Sequence, residues 1–87
     1  MIKVNILFSG KIQGVGFRYG LKRKSKQLGI KGYVKNLDDG KVEAVLEGDD
    51  EKIEKVLDHC KKIFDVENIE IKEEGYKNEF EDFKILK

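Results

Sequence analysis

The sequence predicts an α+β protein of the ferredoxin-like class, an α/β sandwich in which two helices cover one face of a four-stranded antiparallel sheet. Its apolar residues follow strand and helix periods in the order β-α-β-β-α-β, which is the split βαβ arrangement. A strong hairpin signal, Asp38-Asp39-Gly40, joins the two middle strands. With 87 residues the chain is long enough for one core. We therefore expect a single domain over residues 1–87.

The first half of the chain contains one strand, one helix and a glycine-rich stretch between them. Residues 2–9 alternate apolar and mostly polar side chains, which is typical of a strand with one buried face. From residue 17 to residue 28 the period becomes helical. The apolar stripe of this helix consists of Phe17, Leu21, Ser25 and Leu28. Gly29 stands where a helix C-cap is expected.

The second half supplies the remaining strands and the second helix. Residues 30–37 and 41–47 are predicted as strands on either side of the hairpin turn. Acidic residues at 49–51 favour a helix start, because they cap the first turn and interact with the helix dipole. A fourth strand follows at about residues 66–74, and residues 80–85 form a short closing strand or a tail packed on the core.

Charge is divided unevenly along the chain, although the net charge is only +1. Residues 1–37 contain nine basic residues and no acidic one, and residues 38–87 contain all 17 acidic residues. Either the basic half attracts an anionic ligand, or the two halves pair within the fold. The nearly neutral total makes a nucleic-acid surface the less favoured explanation.

Single cysteine and histidine residues limit the available chemistry. Cys60 lies on the apolar stripe of the second helix, so we expect a core residue, no intrachain disulfide and a reducing cytoplasm. His59 is the only histidine, which excludes a metal cluster built on histidines and favours a surface position. The first apolar run is broken by Lys3 and Asn5, so it predicts neither a signal peptide nor a membrane span.

The glycine-rich stretch from Ser9 to Arg18 is the candidate for chemistry. A glycine turn that leads into a helix points several N–H groups, and the positive end of the helix dipole, at one spot. Arg18 adds a planar, permanently charged fork that matches phosphate or carboxylate. The stretch therefore predicts an oxyanion-binding turn, the alternative being a plain connector with a solvated arginine. It matches neither a P-loop nor a dinucleotide fingerprint.

Asn36 is a second candidate, near the end of the second strand. A neutral amide beside an anion site can hold a water molecule through its carbonyl oxygen and its NH₂ group. The alternative is an ordinary asparagine that leads into the Asp38-Asp39-Gly40 turn. Spacing alone favours the ordinary asparagine.

Together these segments resemble the acylphosphatase family along nearly the whole chain. The family's Gly-x-Val-Gln-Gly-Val-x-Phe-Arg run is similar to residues 10–18, and its Leu-Gly-Leu-x-Gly-Trp-Val-x-Asn run to residues 28–36. Its Asp/Asn-Gly-x-Val-Glu run is similar to residues 39–43, and its aromatic ending to residues 80–85. The departures are mild and affect no charged or polar role: they are Ile12, Ser25, Ile30 and Tyr33.

The resemblance implies the ferredoxin-like fold and the hydrolysis of the carboxyl–phosphate anhydride in acyl phosphates, without a metal or an organic cofactor. It implies that Arg18 binds the phosphate and that Asn36 positions the attacking water. The backbone amides expected to hold the phosphate belong to Gln13, Gly14, Val15, Gly16 and Phe17. The expected partner is a small-molecule acyl phosphate, bound by a cytoplasmic monomer that contacts neither membrane nor nucleic acid.

Two other functions compete with this one. A non-catalytic ferredoxin-like module could bind an anion or RNA, but the run from Gly16 to Gly20 falls at a loop-to-helix junction and not on a central strand. The chain could also resemble a regulatory or carbamoyl-phosphate-handling part of a larger enzyme. Its length argues instead for a free-standing protein.

Overall fold

A five-stranded sheet with two helices packed on one face makes up the computed structural model, which describes residues 1–86. The elements are β1 (Ile2–Lys11), α1 (Phe17–Gln27), β2 (Lys31–Asn36), β3 (Val42–Gly48), α2 (Asp50–Ile63), β4 (Asp65–Glu74) and β5 (Phe83–Ile85). The strands lie in the order β4-β1-β3-β2-β5. The predicted order of elements is confirmed. Strands β1 and β3 are interior strands, so each is hydrogen-bonded to a neighbouring strand on both sides.

The sheet contains one strand beyond the predicted four. Strands β4, β1, β3 and β2 are joined by antiparallel pairing, as expected. The closing segment forms β5, which pairs in parallel with residues 32–34 of β2. Phe83 begins this strand and is 1% exposed, so burial of its ring accounts for the docking of so short a segment.

The core lies between the sheet and the two helices. Alternate residues of the central strands face the helices, which buries the apolar period that the sequence shows. From α1 the core receives Phe17 and Leu21, and from α2 it receives Ile53, Val56, Leu57 and Cys60. Within residues 1–86, neither helix is long and apolar enough to cross a membrane.

The opposite face of the sheet is crossed by residues 75–82, which we call the strap. The strap leaves β4 at one edge of the sheet and reaches β5 at the other edge. The carboxylate of Glu47 on β3 accepts three hydrogen bonds from strap N–H groups, those of Lys77 at 3.0 Å, Asn78 at 2.9 Å and Glu79 at 3.1 Å. Glu47 is only 2% exposed, so these donors replace the water that its charge has lost.

An ion pair adds a second attachment for the strap. Lys3 on β1 donates a hydrogen bond to Glu79, and this bond raises the pKa of Lys3 and lowers the pKa of Glu79. Near the far edge of the sheet, the rings of Tyr33 and Phe80 pack edge to face with centroids 6.0 Å apart. The strap is therefore held above each of the strands β1, β3 and β2.

The two differently charged halves of the sequence pair within the fold. Ion pairs in the described part of the chain join Lys3 to Glu79, Lys26 to Asp82 at 3.5 Å, and Lys35 to Glu43 at 3.6 Å. Each pair takes its lysine from residues 1–37 and its carboxylate from residues 38–87. Pairing within the fold thus accounts for part of the charge division.

We expect Glu47→Ala to lower the free energy of unfolding by about 2–3 kcal/mol, because three strap N–H groups lose their acceptor while the strap lies on the sheet. Glu47→Gln should lie between the wild type and Glu47→Ala, since one amide oxygen replaces two carboxylate oxygens. Urea unfolding followed by circular dichroism measures both changes.

Glu43→Ala is the matched control on the same strand and the same face. Its carboxylate forms a partly exposed ion pair with Lys35 at 3.6 Å and accepts no backbone hydrogen bond from the strap in the described chain, so the expected loss is below about 1 kcal/mol. Equal losses for Glu43→Ala and Glu47→Ala would contradict the role assigned to the strap contacts.

Candidate active site

A sharp turn connects the end of β1 to the start of α1, and we call its residues 13–17 the cradle. Gly14 and Gly16 adopt positive φ angles of 78° and 85°. A Cβ atom at either position would meet no atom within 4 Å, so the backbone conformation and not the available space requires glycine there. Gly16 is also the N-cap residue of α1. The two glycines thus bend the chain so that the cradle runs directly into the helix.

The amides of the cradle are left available for an anion. The N-cap position of α1 makes no side-chain hydrogen bond, and the first turn contains no acidic residue. In contrast, the side chain of Asp49 caps α2 by accepting from the N–H groups of Glu51 and Lys52, and acidic residues occupy its first turn. The positive end of the α1 dipole is therefore open, while that of α2 is already satisfied.

Core packing fixes the position of the cradle. Phe17 is the first residue of α1 and is 1% exposed. Its ring packs edge to face on Phe8, with centroids 4.9 Å apart, and on Phe64, with centroids 5.1 Å apart. Such aromatic pairs favour one relative orientation. The helix therefore starts at a fixed place above the end of β1.

A cavity of about 240 Å³ opens at the cradle. It is lined by Ile12, Gly14, Gly16, Phe17, Arg18 and Tyr19. Arg18 is partly exposed and takes part in none of the ion pairs found in residues 1–86. Its guanidinium is consequently free of a competing carboxylate beside the open helix end. This combination can hold a phosphate-sized dianion.

Asn36 lies at the same end of the sheet and on the same face. Val42 pairs with Phe8 on one side and with Asn36 on the other, so these three residues share the helix-covered face. The Oδ1 atom of Asn36 is buried and has no hydrogen-bond partner in the described chain. Asn36 is not among the residues that line the cradle cavity. The structure therefore brings Asn36 to the site's end of the molecule with an acceptor that is still unused.

The side chain of Gln13 connects the cradle to the β2–β3 hairpin. Its Nε2 atom donates to the carbonyl oxygen of Leu37 at 2.8 Å and to that of Lys41 at 2.9 Å. The sequence prediction concerned only the backbone amide of Gln13. No local pattern could have revealed the side-chain contacts, because the partners lie 24 and 28 residues away in sequence.

Residues elsewhere offer little for catalysis. Cys60 is fully buried, as predicted, and burial raises the pKa of its thiol to about 12. His59 lines a separate groove of about 320 Å³ between the helices, together with Arg23 and Lys24. Among residues 1–86, no group of three histidine, cysteine or acidic side chains lies close enough to hold a metal ion. Neither Cys60 nor His59 therefore belongs to a second candidate site for catalysis in the described part of the chain.

Comparison with known proteins identifies the family to which the chain is similar. The family model described as acylphosphatase matches residues 4–85. An acylphosphatase from Pyrobaculum aerophilum is 46% identical over 90 aligned residues, which cover 99% of this chain and 95% of that protein.

Solved structures agree with the sequence comparison. The crystal structure of acylphosphatase from Bacillus subtilis superposes with a TM-score of 0.93 at 30% identity, with both chains fully covered. The crystal structure of HypF from T. kodakarensis has a TM-score of 0.85 at 32% identity, where the whole of this chain covers 12% of that protein. The same fold thus occurs both as a chain of this size and within a much longer one.

The Cys60 thiol should resist alkylation and disulfide exchange in the native protein. With a pKa of about 12, roughly one thiol in ten thousand is ionised at pH 8, and burial also blocks the reagent. We expect reaction with Ellman's reagent to be negligible in buffer and complete, at one thiol per chain, in denaturant. Rapid labelling of the folded protein would contradict this description of Cys60.

Proposed function

Since the chain belongs to the acylphosphatase family and is an acylphosphatase, we propose that the cradle amides, Arg18 and Asn36 perform the hydrolysis of its acyl phosphate substrate. The observation that carries this assignment is the open N-terminus of α1, which has no side-chain cap and no acidic residue in its first turn. Arg18 stands in that first turn and lines the same cavity as the cradle.

In this proposal the phosphate group of the substrate occupies the cradle. The backbone N–H groups of residues 13–17 donate to its oxygens, and the helix dipole favours its negative charge. The guanidinium of Arg18 donates two parallel hydrogen bonds to phosphate oxygens, which both binds the ground state and stabilises the charge that spreads over these oxygens in the transition state. The acyl group then extends out of the cavity toward solvent.

Asn36 holds the attacking water. Its unpaired Oδ1 can accept a hydrogen bond from the water, and its NH₂ group can donate to the water oxygen. The water oxygen attacks phosphorus while the bond from phosphorus to the acyl oxygen breaks. The products are a carboxylate and inorganic phosphate.

The proton of the water goes to a phosphate oxygen of the substrate itself. The proposed site residues, which are residues 13–18 and Asn36, include no histidine, aspartate or glutamate that could act as a general base. An acyl phosphate has a good leaving group, so positioning and charge stabilisation supply most of the required rate. The reaction so described uses no metal ion and no organic cofactor.

We further propose that residues 1–87 act as one domain and as a cytoplasmic monomer. A buried free thiol, as expected in a reducing compartment, and one hydrophobic core within residues 1–86 support this assignment. Light scattering coupled to size exclusion tests the oligomeric state, with a mass near 10.1 kDa expected.

Arg18→Ala should lower kcat for benzoyl phosphate by about 10²–10³, because a donor to the developing charge is lost. It should also weaken inhibition by inorganic phosphate. Arg18→Lys should recover little, because the ammonium cannot reproduce the planar two-point contact.

Arg23→Ala is the control, because it removes an equally charged, exposed residue of the same helix. It should leave both kcat and the inhibition constant of inorganic phosphate unchanged. Equal effects at positions 18 and 23 would contradict the specific role of Arg18.

Asn36→Ala should also lower kcat by about 10²–10³, but the inhibition constant of inorganic phosphate should stay within about threefold of wild type. The measurement is hydrolysis of benzoyl phosphate at neutral pH, with and without a chelator, and the chelator should change nothing. Asn68→Ala, at an exposed position on β4, is the control. Weaker phosphate binding with intact turnover would show that Asn36 does not position the water.

A further inference from the structure

We propose that Gln13 is a positioning residue, whose side chain fixes the β2–β3 hairpin against the cradle and thereby holds Asn36 at the bound phosphate. This inference rests on the function proposed above for Asn36. It assigns the side chain of Gln13 a task distinct from that of its backbone amide. Two observations support it: the two hydrogen bonds from Gln13 to the hairpin, and the absence of a hydrogen-bond partner for the Oδ1 atom of Asn36 in the described chain.

The Gln13 side chain uses its full donor capacity on the hairpin. An amide NH₂ group has two hydrogens, and Nε2 lies 2.8 Å from the oxygen of Leu37 and 2.9 Å from the oxygen of Lys41. The orientation of the amide follows from these partners, because the opposite orientation would place its carbonyl oxygen against two other carbonyl oxygens. No side-chain hydrogen of Gln13 is left for the phosphate.

The two accepting carbonyls lie at the base of the hairpin. The N–H group of Leu37 donates to the oxygen of Lys41 at 2.8 Å, which closes the turn. Gln13 therefore binds both sides of the turn where the hairpin leaves the sheet. It connects the hairpin to the segment that follows β1, the strand that pairs with β3 in the sheet.

Asn36 depends on its backbone for its position. It directly precedes Leu37, and it is the last residue of β2. Its Oδ1 atom has no partner in the described chain, so no bond to that oxygen holds the side chain in place. A displacement of the hairpin would consequently move Asn36 relative to the cradle. Small displacements of a group that orients a reactant lower the rate strongly.

The test is a double-mutant cycle between Gln13→Met and Asn36→Ala, with kcat for benzoyl phosphate and the inhibition constant of inorganic phosphate as readouts. Methionine keeps the length of the side chain and removes both donors. We expect Gln13→Met to lower kcat by about tenfold or more, with phosphate inhibition within about threefold of wild type. In the Asn36→Ala background the same change should lower kcat no further, because Gln13 acts through Asn36.

Gln13→Lys should recover much of the lost kcat, because an ammonium group can donate to the same two carbonyls. Gln27→Met, an exposed glutamine of α1, is the matched control and should retain wild-type kcat. Circular dichroism establishes that each variant is folded at the assay temperature. If Gln13→Met does not fold, protection of the wild-type Gln13 NH₂ protons from solvent exchange, measured by NMR, decides whether the contacts persist in solution.

Each result bears on a different claim. An unchanged kcat in Gln13→Met, or an equal loss in the wild-type and Asn36→Ala backgrounds, overturns the positioning role and leaves the proposed function intact. Free exchange of the Gln13 NH₂ protons likewise overturns it. Wild-type kcat in Asn36→Ala overturns the proposed role of Asn36 and, with it, the positioning role. Loss of kcat in the single variants without a further loss in the double variant supports both.

Discussion

Burial of Phe17 is the constraint on which the site depends. The residue before it, Gly16, belongs to the cradle, and the residue after it, Arg18, carries the positive charge. Since the ring of Phe17 is fixed between Phe8 and Phe64, both neighbours have their backbone positions set by the core. A site made of backbone amides needs this kind of support, because main-chain groups cannot adjust by changing rotamer. The packing of Phe17 therefore holds the backbone of the cradle in one conformation before any ligand binds.

The two helices of the protein begin in opposite ways: the N-terminus of α2 is capped by a side chain, and the N-terminus of α1 is not. At α2 the Asp49 side chain satisfies two N–H groups, and Asp50 and Glu51 neutralise the dipole. At α1 a glycine in the left-handed conformation takes the cap position and supplies no acceptor. A cap there would stabilise the helix by about 1 kcal/mol but would occupy the donors that we propose bind phosphate. The less stable helix start is therefore the one whose N–H groups stay available to an anionic ligand.

Local patterns were sufficient to predict the elements, and they also indicated the residues of the candidate site. The period changes located β1 and α1, the Asp38-Asp39-Gly40 signal located the hairpin, and the glycine turn with Arg18 predicted an anion site. The position of Asn36 on the helix-covered face also follows from strand register once the sheet order is known. These features depend on residues that are close in sequence or on a regular period.

The features that the sequence did not reveal all depend on which distant donors and acceptors meet. The three amides on Glu47, the parallel pairing of β5 and the two bonds from Gln13 join segments that are far apart in the chain. An isolated glutamate in a strand or a glutamine in a turn looks like ordinary surface polarity, because nothing nearby in sequence specifies its partner. Only the tertiary structure shows that Glu47 binds the strap to the outer face of the sheet and that Gln13 joins the cradle to the hairpin.

The uneven charge of the chain is neutralised by ion pairs at some lysines but not at Arg18. Lysines of the basic half pair with carboxylates of the acidic half at Lys3–Glu79, Lys26–Asp82 and Lys35–Glu43. Arg18 is in none of these pairs, and residues 1–37, which include the cradle and β2, contain no acidic residue at all. A carboxylate beside the cradle would compete with the substrate for Arg18 and repel its phosphate. Within residues 1–86 no ion pair engages Arg18, so its charge stays available beside the open start of α1, while the second half of the chain supplies the carboxylates of the ion pairs found elsewhere.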